Sequence, residues 1–298
     1  MQKLIVILGP TASGKSDMAV KLAKRFNGEV VSADSRQVYK GLDIGTGKIT
    51  KKEMQGVKHH LLDVANPKKQ FTASDFVDLT SGLIRQIVNR RKVPIICGGT
   101  GFYIDALLGD KQIPEVPPNL KLRKELEKKS VEKLFEILKK LDPERAKNID
   151  AKNPRRLIRA IEICKELGKV PKIVASSQHL VARKYEVLKI GIKVDEKELK
   201  KRIDKRLEKR LKQGMVREAK KLHESGLSFK RMRELGLEYS ALADLLQNKV
   251  SKVAFDTRLR QEIWHYAKRQ MTWFKKDKSI IWLPPRISLV EKEVKKFL

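Results

Sequence analysis

The sequence predicts an α/β fold in which a parallel sheet is flanked by helices and interrupted by a mostly helical insertion. Three observations predict it. Short apolar runs alternate with segments of helical periodicity over the first hundred residues. Glycine-rich or polar residues follow several of those runs. From about 115 to 184 the pattern becomes helical and charged. We therefore expect a core domain from 1–114 and 185–298, with a helical C-terminal part, and an insertion at 115–184.

The first apolar run, at 4–8, is followed by GPTASGKS at 9–16, which fits the phosphate-loop pattern G-x-x-x-x-G-K-[ST] at every fixed position. We expect a strand over 3–8 and a helix over 16–26. In such a loop backbone N–H groups and the helix N-terminus bind phosphate oxygens, a lysine adds positive charge, and a serine can coordinate Mg²⁺. The motif predicts a P-loop NTPase-like sheet. The predicted phosphate ligands are Gly9, Pro10, Thr11, Ala12, Ser13, Gly14, Lys15 and Ser16, the last also binding Mg²⁺.

Polar residues follow two further predicted strands. A strand over 29–33 ends at Asp34, and a strand over 93–97 ends in a glycine-rich segment that contains Thr100. Because ligands bind beside the carboxyl ends of parallel strands, Asp34 and Thr100 are expected near the phosphate loop. The second of these strands does not end in the aspartate of a Walker B motif, which argues against an ATPase or helicase.

Between these strands we expect a short strand over 59–64 and a helix over 72–91. His59 and His60 are adjacent on the short strand, so their side chains point to opposite faces. We therefore do not expect them to chelate one metal ion.

In the insertion, leucines recur at helical spacing over 120–141. A second helix begins after Asn153, with Asn153 as its N-cap, and carries Arg155, Arg156 and Arg159 in its first turns. Positive charge there opposes the helix dipole. A phosphate-binding surface is therefore favoured over a merely solvated face.

After the insertion we expect a strand over 186–194, a basic helix beginning at Asp195, and a terminal edge strand near 280–282. Arg202, Arg206 and Arg210 share one face of the basic helix. This row is either a solvated surface or a set of phosphate contacts, and the sequence leaves both open.

The composition indicates a polyanionic partner. Lys and Arg number 67 against 36 Asp and Glu, for a formal charge of +31. Nucleic acid is the first candidate and an anionic membrane surface the second. No apolar run approaches the ~20 residues that span a bilayer, and the N-terminus has no signal-peptide pattern, so we expect a cytoplasmic monomer without a membrane partner. Cys97 and Cys164 form neither a redox nor a zinc motif and are expected to be buried thiols.

Several segments together resemble the bacterial tRNA dimethylallyltransferases. They occur in the family's order as GPTASGKS, DSRQVYKGLDIGTGK, HHLLDV, GGTGFYIDALL, NPRRLIRAIE, RIDKR and YAKRQMTWF. The chain departs from the family pattern at Gly47, Ile49 and Leu237 and at the pair Trp264 and His265. None of these positions falls on the phosphate loop, Asp34 or Thr100.

The resemblance implies transfer of a dimethylallyl group from dimethylallyl diphosphate to N6 of the adenine 3′-adjacent to the anticodon, at position 37 of tRNAs that read codons starting with U. Diphosphate is released. It implies Asp34 as general base, Thr100 as an adenine contact and Lys15 as a catalytic cation. It also implies diphosphate contacts from Arg202 and Arg206. The implied tRNA contacts are Asp34, Ser35, Arg36, Gln37, Thr100, Arg123, Arg155, Arg156, Leu157, Ile158 and Arg159.

Other functions share parts of this pattern. A prenyltransferase acting on a free adenine nucleotide would need the same donor site, but the basic insertion and the charge of +31 favour a large polyanion. A metabolite or polynucleotide kinase shares the phosphate loop and an Asp after the second strand. A non-catalytic RNA-binding module would leave the phosphate loop unexplained.

Overall fold

A computed structural model of the protein describes residues 2–109, 114–171 and 184–298. The chain divides into two compact units: Met1–Gly109 with His179–Leu298, and Asp110–Gln178. Residues 172–183 of the predicted insertion lie outside the described residues. In the described ranges no helix is both long and apolar enough to cross a membrane.

The first unit contains the predicted parallel sheet. All pairings between its strands are parallel, in the order β3-β2-β4-β1-β5-β6. The strands are β1 (Gln2–Leu8), β2 (Gly28–Ser32), β3 (His59–His60), β4 (Val93–Gly98), β5 (Tyr185–Ile192) and β6 (Ile281–Leu283). The α/β fold class predicted from the sequence is confirmed, and the last strand lies at a sheet edge as expected.

The described helices are numbered along the chain. They are α1 (Lys15–Arg25), α2 (Lys51–Met54), α3 (Ala73–Asn89), α4 (Gly101–Leu108), α5 (Leu120–Leu126), α6 (Val131–Leu141), α7 (Pro143–Lys147), α8 (Pro154–Leu167), α9 (Glu196–Lys212), α10 (Met215–Glu224), α11 (Phe229–Leu235), α12 (Leu237–Leu246), α13 (Lys252–Phe274) and α14 (Ile287–Phe297).

Buried apolar clusters hold the described part of the first unit together, and two of them bear on the site. In one, the sheet packs against α1 and α14 through side chains such as Ile7, Leu22 and Val290, all nearly inaccessible to solvent. In the other, α9 to α13 surround Tyr239 and reach the segment after β2 through Leu42. The helical C-terminal part is therefore packed onto the loops that leave the sheet.

The predicted strand over 59–64 is too long. Only His59 and His60 pair with β2. Leu61 and Asp63 have φ values of 60° and 56°, outside the extended region, so the chain turns away from the sheet after two residues.

The second unit is a small helical domain with its own core, in which Leu134, Leu138 and Ile161 are buried. The single helix predicted over 120–141 is instead two, α5 and α6. The side chain of Ser130 accepts a hydrogen bond from Lys133 N and starts α6 as an N-cap. Leucine spacing alone did not reveal this interruption, because both helices bury leucines at helical intervals.

A buried carboxylate lies at the start of β2. Glu29 has a side chain 1% exposed and contacts His60 Nε2 at 2.7 Å, Arg90 Nη2 at 2.7 Å and Lys92 Nζ at 3.0 Å. Burial alone would raise its pKa. Hydrogen bonds from Arg90, His60 and Lys92 outweigh burial and lower the pKa of Glu29 from 4.5 to about 2.

Glu29→Gln is therefore expected to lower the free energy of unfolding by about 2–4 kcal/mol near pH 7, because three cationic or donor groups lose a buried partner. The folded-state pKa lies below the unfolded one, so the stabilisation is complete above about pH 4.5 and declines as the pH falls toward 2. Urea unfolding at several pH values measures it. The matched control Glu186→Gln removes a half-exposed pair with Lys3 and should cost under about 1 kcal/mol. An equal loss in both variants would contradict this account.

Candidate active site

The sheet register brings the predicted site residues together. Leu8 of β1 lies opposite Gly98 of β4, and Ser32 of β2 lies opposite Cys97. The residues that follow these strands therefore leave the sheet at one edge. Thr100 N donates to Ala33 O at 3.2 Å, which ties the end of β4 to the end of β2.

The close approach of these strand ends requires a glycine. A Cβ built on Gly98 would lie 2.1 Å from Ala33 O, a backbone atom that cannot move without displacing the neighbouring Asp34. Only a residue without a side chain fits at position 98.

The phosphate loop has the shape that its motif predicts. Gly9 and Gly14 have φ values of 150° and 93°, and Ala12 one of 62°, so the loop uses conformations that glycine favours. Helix α1 begins at Lys15, and no side chain of the described residues caps its N-terminus. Its first-turn N–H groups are available to an anion. Ser13 Oγ is buried and, within the described residues, has no hydrogen-bond partner.

Lys15 and Cys97 lie beneath the loop. Lys15 Nζ donates to Pro10 O at 3.1 Å, and burial lowers the pKa of this lysine. A bound anion would favour its charged form. Burial raises the pKa of Cys97 to about 11, so its thiol stays neutral, and both cysteines are buried as expected.

Asp34 is held with one carboxylate oxygen occupied. Its Oδ1 accepts hydrogen bonds from Arg36 N at 2.8 Å and Gln37 N at 3.3 Å. Its Oδ2 makes no hydrogen bond to any part of the chain that the structure describes. Ser35 N donates to Thr100 Oγ1 at 3.0 Å, so the turn after β2 is anchored on Thr100. The arrangement presents a carboxylate oxygen that can accept a proton.

The three arginines of α9 make different contacts. Arg210 donates to Ile44 O at 2.7 Å and pairs with Glu238 at 2.9 Å, so it supports the glycine-rich loop at 43–47. Arg206 donates to Thr11 Oγ1 at 3.0 Å and to Gly47 O at 2.8 Å. It therefore connects the phosphate loop to the glycine-rich loop.

Arg202 lies nearer the open side of the phosphate loop. Its Nε donates to Glu198 at 2.8 Å, and its Nη1 lies 4.0 Å from where a Cβ on Gly14 would sit. Of the three, Arg202 is the arginine most free to approach a ligand on the loop.

Glu218 fixes the glycine-rich loop from the other side, a contact that the sequence did not reveal. Its carboxylate accepts hydrogen bonds from Asp43 N at 3.0 Å, Ile44 N at 2.6 Å and Gly45 N at 2.8 Å. Tyr239 Oη donates to the same carboxylate at 2.7 Å. No local motif marks Glu218, because the backbone groups that it binds are about 175 residues away along the chain.

Gln270 of α13 is the other residue that the sequence did not reveal, since no local motif marks it. Its Oε1 accepts a hydrogen bond from Thr11 N at 2.8 Å. Thr11 remains a predicted phosphate ligand, although its backbone N–H already donates to Gln270 and its hydroxyl accepts from Arg206. The other residues of the phosphate loop also remain predicted phosphate ligands.

In the second unit, the predicted RNA contacts divide into three groups. Arg155 and Arg156 are exposed on α8. Leu157 and Ile158 are buried in the core of this unit, at 0% and 7% exposure, so the prediction that they bind tRNA is wrong for their side chains. They pack inward because the helix needs an apolar face.

Arg123 and Arg159 are engaged by the buried carboxylate of Glu162. Arg123 Nη2 lies 2.7 Å from Glu162 Oε2, Arg159 Nη1 donates to the same oxygen, and Arg159 Nη2 donates to Val116 O at 2.9 Å. Glu162 itself is buried, with 2% of its surface exposed. These two arginines support the fold of the unit.

Ser16 is placed where it could share a Mg²⁺ ion with a bound phosphate. The described residues contain no cluster of three or more His, Cys, Asp or Glu side chains that could hold a metal alone. Ser16 lies in the first turn of α1, beside the open N–H groups. A hydroxyl in that position suits Mg²⁺, which commonly combines few protein ligands with substrate phosphates.

The parallel sheet with a phosphate loop after its first strand defines a P-loop NTPase-like α/β protein. The model of the IPP transferase family matches residues 37–277. A tRNA dimethylallyltransferase of Anoxybacillus flavithermus is 40% identical over 284 residues, which cover 94% of this chain and 90% of that protein. The chain belongs to the IPP transferase family, as the sequence resemblance indicated.

Solved structures of tRNA-modifying enzymes resemble this chain as well. The crystal structure of the full-length tRNA isopentenylpyrophosphate transferase from Bacillus halodurans matches with a TM-score of 0.74 at 35% identity, over 99% of this chain and 96% of that one. A eukaryotic dimethylallyltransferase acting on tRNA matches with a TM-score of 0.81 at 27% identity, over 96% of this chain and 74% of that one.

Gly98→Ala is expected to lower the free energy of unfolding by about 2–3 kcal/mol, because its methyl group would overlap Ala33 O and force the strand ends apart. Denaturant unfolding measures the loss. Gly82→Ala is the matched control: it lies in α3, nothing lies within 4 Å of its added Cβ, and the change should be neutral or stabilising by up to ~1 kcal/mol. Equal stability of the two variants would show that the strand ends are not in contact.

Proposed function

We propose that this chain transfers a dimethylallyl group from dimethylallyl diphosphate to N6 of the adenine next to the anticodon of tRNA. One observation carries the proposal. The phosphate loop and the carboxylate of Asp34 follow strands that leave the same edge of the sheet, with only β4 between them. An anion-binding loop and a proton acceptor at one edge suit alkyl transfer with loss of diphosphate, and relatives in the same family are named for that reaction.

The phosphate loop acts on the leaving group. Negative charge develops on the diphosphate as its bond to the prenyl carbon breaks. The N–H groups of α1 and the ammonium of Lys15 stabilise that charge, and Arg202 lies close enough to assist. Mg²⁺ held by Ser16 would add positive charge to the diphosphate when bound. The loop thereby serves departure of a diphosphate rather than hydrolysis of a nucleotide.

Asp34 acts on the nucleophile. The exocyclic amine must lose a proton as it attacks, and Asp34 Oδ2 is available to accept it while Oδ1 is fixed by Arg36 N and Gln37 N. Thr100 anchors this turn and offers its hydroxyl to the base. The side chains of Ser35, Arg36 and Gln37 are half-buried around the carboxylate and would line the approach of the nucleotide.

The tRNA supplies the polyanion that the charge of +31 indicates. An adenine stacked in the anticodon loop cannot reach the phosphate-loop edge, so it must be flipped out of the stack. Arg155 and Arg156 are the exposed arginines of α8 and are proposed to contact the phosphates of the RNA. Arg123 and Arg159 contribute by holding that helix in place. We expect the chain to act as a monomer.

Incubation with unmodified tRNA, Mg²⁺ and dimethylallyl diphosphate should give a nucleoside heavier by about 68 Da, one C5H8 unit, because the loop stabilises departure of the diphosphate alone. Nuclease digestion and mass spectrometry locate it next to the anticodon. A free adenine nucleotide should remain unmodified. Phosphate transfer from ATP without that mass gain would instead establish a kinase, and modification of the free nucleotide alone would establish the nucleotide prenyltransferase.

Asp34→Asn should lower kcat by about 10²–10⁴-fold, because the amide cannot accept the proton from the amine. The Kd for tRNA should change by less than about threefold, since the shape of the turn is kept. Single-turnover kinetics and filter binding measure the two quantities. Asp78→Asn, at an exposed position of α3, is the control and should leave both unchanged. Full activity of Asp34→Asn would remove the general-base assignment.

A further inference from the structure

Gln270 is a buried polar side chain near the C-terminal end of α13, only 6% exposed. Its amide makes two hydrogen bonds to backbone atoms of different loops. Oε1 accepts from Thr11 N at 2.8 Å, and Nε2 donates to Gly99 O at 2.8 Å. One side chain thus joins the loop after β1 to the turn after β4.

The fit of this amide is close. A Cβ on Gly99 would lie 2.2 Å from Gln270 Nε2, so the absence of a side chain at position 99 makes room for it. The contact needs a donor and an acceptor on one planar group, which a carboxamide supplies in neutral form. Leaving either backbone group unpaired in a buried place is unfavourable, so the amide holds both loops in one arrangement.

The two loops are the two halves of the proposed site. Thr11 belongs to the phosphate loop, which would hold the donor. Gly99 directly precedes Thr100, which anchors the turn that carries Asp34. Arg206 reinforces the donor side through Thr11 Oγ1. Among the described residues, Gln270 is the side chain that hydrogen-bonds to both halves.

We propose that Gln270 is a positioning residue that fixes the spacing between the donor loop and the acceptor turn. This inference rests on the proposed function. The amide contacts neither substrate and takes no part in proton transfer. It acts through Thr11 and Gly99, keeping the prenyl carbon and the adenine amine at attack distance. Displacement by about 1 Å in such an arrangement can cost ~10²-fold in rate, while each substrate still finds its own half-site.

The test compares Gln270→Met with Gln261→Met, an exposed glutamine on the same helix. Methionine keeps the length of Gln270 but loses both hydrogen bonds. In Gln270→Met, kcat should fall about 10–100-fold, while the Kd values for tRNA and for dimethylallyl diphosphate change by less than about threefold. Gln261→Met should match the parent in all three. If Gln270 served only stability, kcat and both Kd values would stay unchanged when they are measured well below the unfolding temperature.

Hydrogen–deuterium exchange gives a readout that does not depend on activity. Exchange at the Thr11 amide, followed by mass spectrometry of peptides from the phosphate loop, should be faster in Gln270→Met and unchanged in Gln261→Met. Gln270→Glu is the second variant, for use if the methionine variant does not fold. It keeps an acceptor for Thr11 N but faces Gly99 O with a carboxylate, so Thr11 should stay protected while kcat still falls.

Each possible result of these experiments leads to a different conclusion. Unchanged exchange at Thr11 in Gln270→Met would show that Gln270 does not hold the two loops together. Faster exchange with kcat within threefold of the parent would overturn its part in catalysis. A loss that appears wholly as weaker donor binding would make Gln270 a ligand-binding residue instead. If the parent enzyme does not prenylate tRNA, the proposed function fails, and the exchange measurement still decides whether Gln270 couples the loops.

Discussion

The pairing of β1 with β4, and of β4 with β2, is the constraint on which the site depends. Three parallel strands end at one edge, so the phosphate loop, Thr100 and Asp34 are adjacent although Thr100 lies 91 positions after Gly9. Gly98 permits this pairing at its tightest point, where no side chain fits beside Ala33 O. The chemistry of the site therefore follows from backbone register before any catalytic side chain is considered.

Helices far along the chain then fix what the sheet brings together. Gln270 holds the phosphate loop against the turn after β4, and Arg206 connects the same loop to the glycine-rich loop. Glu218 and Arg210 fix the glycine-rich loop from opposite sides. The helical C-terminal part is thus a scaffold for the loops of the site. Much of its basic charge serves internal contacts, and the rest remains available to a polyanion.

The sequence predicted features that depend on neighbouring residues. The phosphate loop, the N-cap Asn153 and the polar strand end at Asp34 are local patterns with a local physical cause. The sequence did not predict groups whose hydrogen-bond partners are distant along the chain. The burial of Glu162 depends on Arg123 and on the backbone N–H of Asn119, which lie 39 and 43 residues earlier in the chain, and Glu218 and Gln270 carry no motif of their own. Leu157 and Ile158 were assigned to RNA by resemblance alone, although their apolar side chains fit a core better than a phosphate backbone.

The central claim is that donor loop and acceptor turn form one reaction centre. A crystal structure of the enzyme with an anticodon stem-loop and a thiodiphosphate analogue of the donor tests it most directly. The account predicts diphosphate oxygens on the N-terminal N–H groups of α1 and on Lys15, and the adenine N6 about 3 Å from Asp34 Oδ2, with the prenyl carbon about 3–3.5 Å from N6. A diphosphate bound away from residues 9–16, or an adenine held out of reach of Asp34, would contradict it.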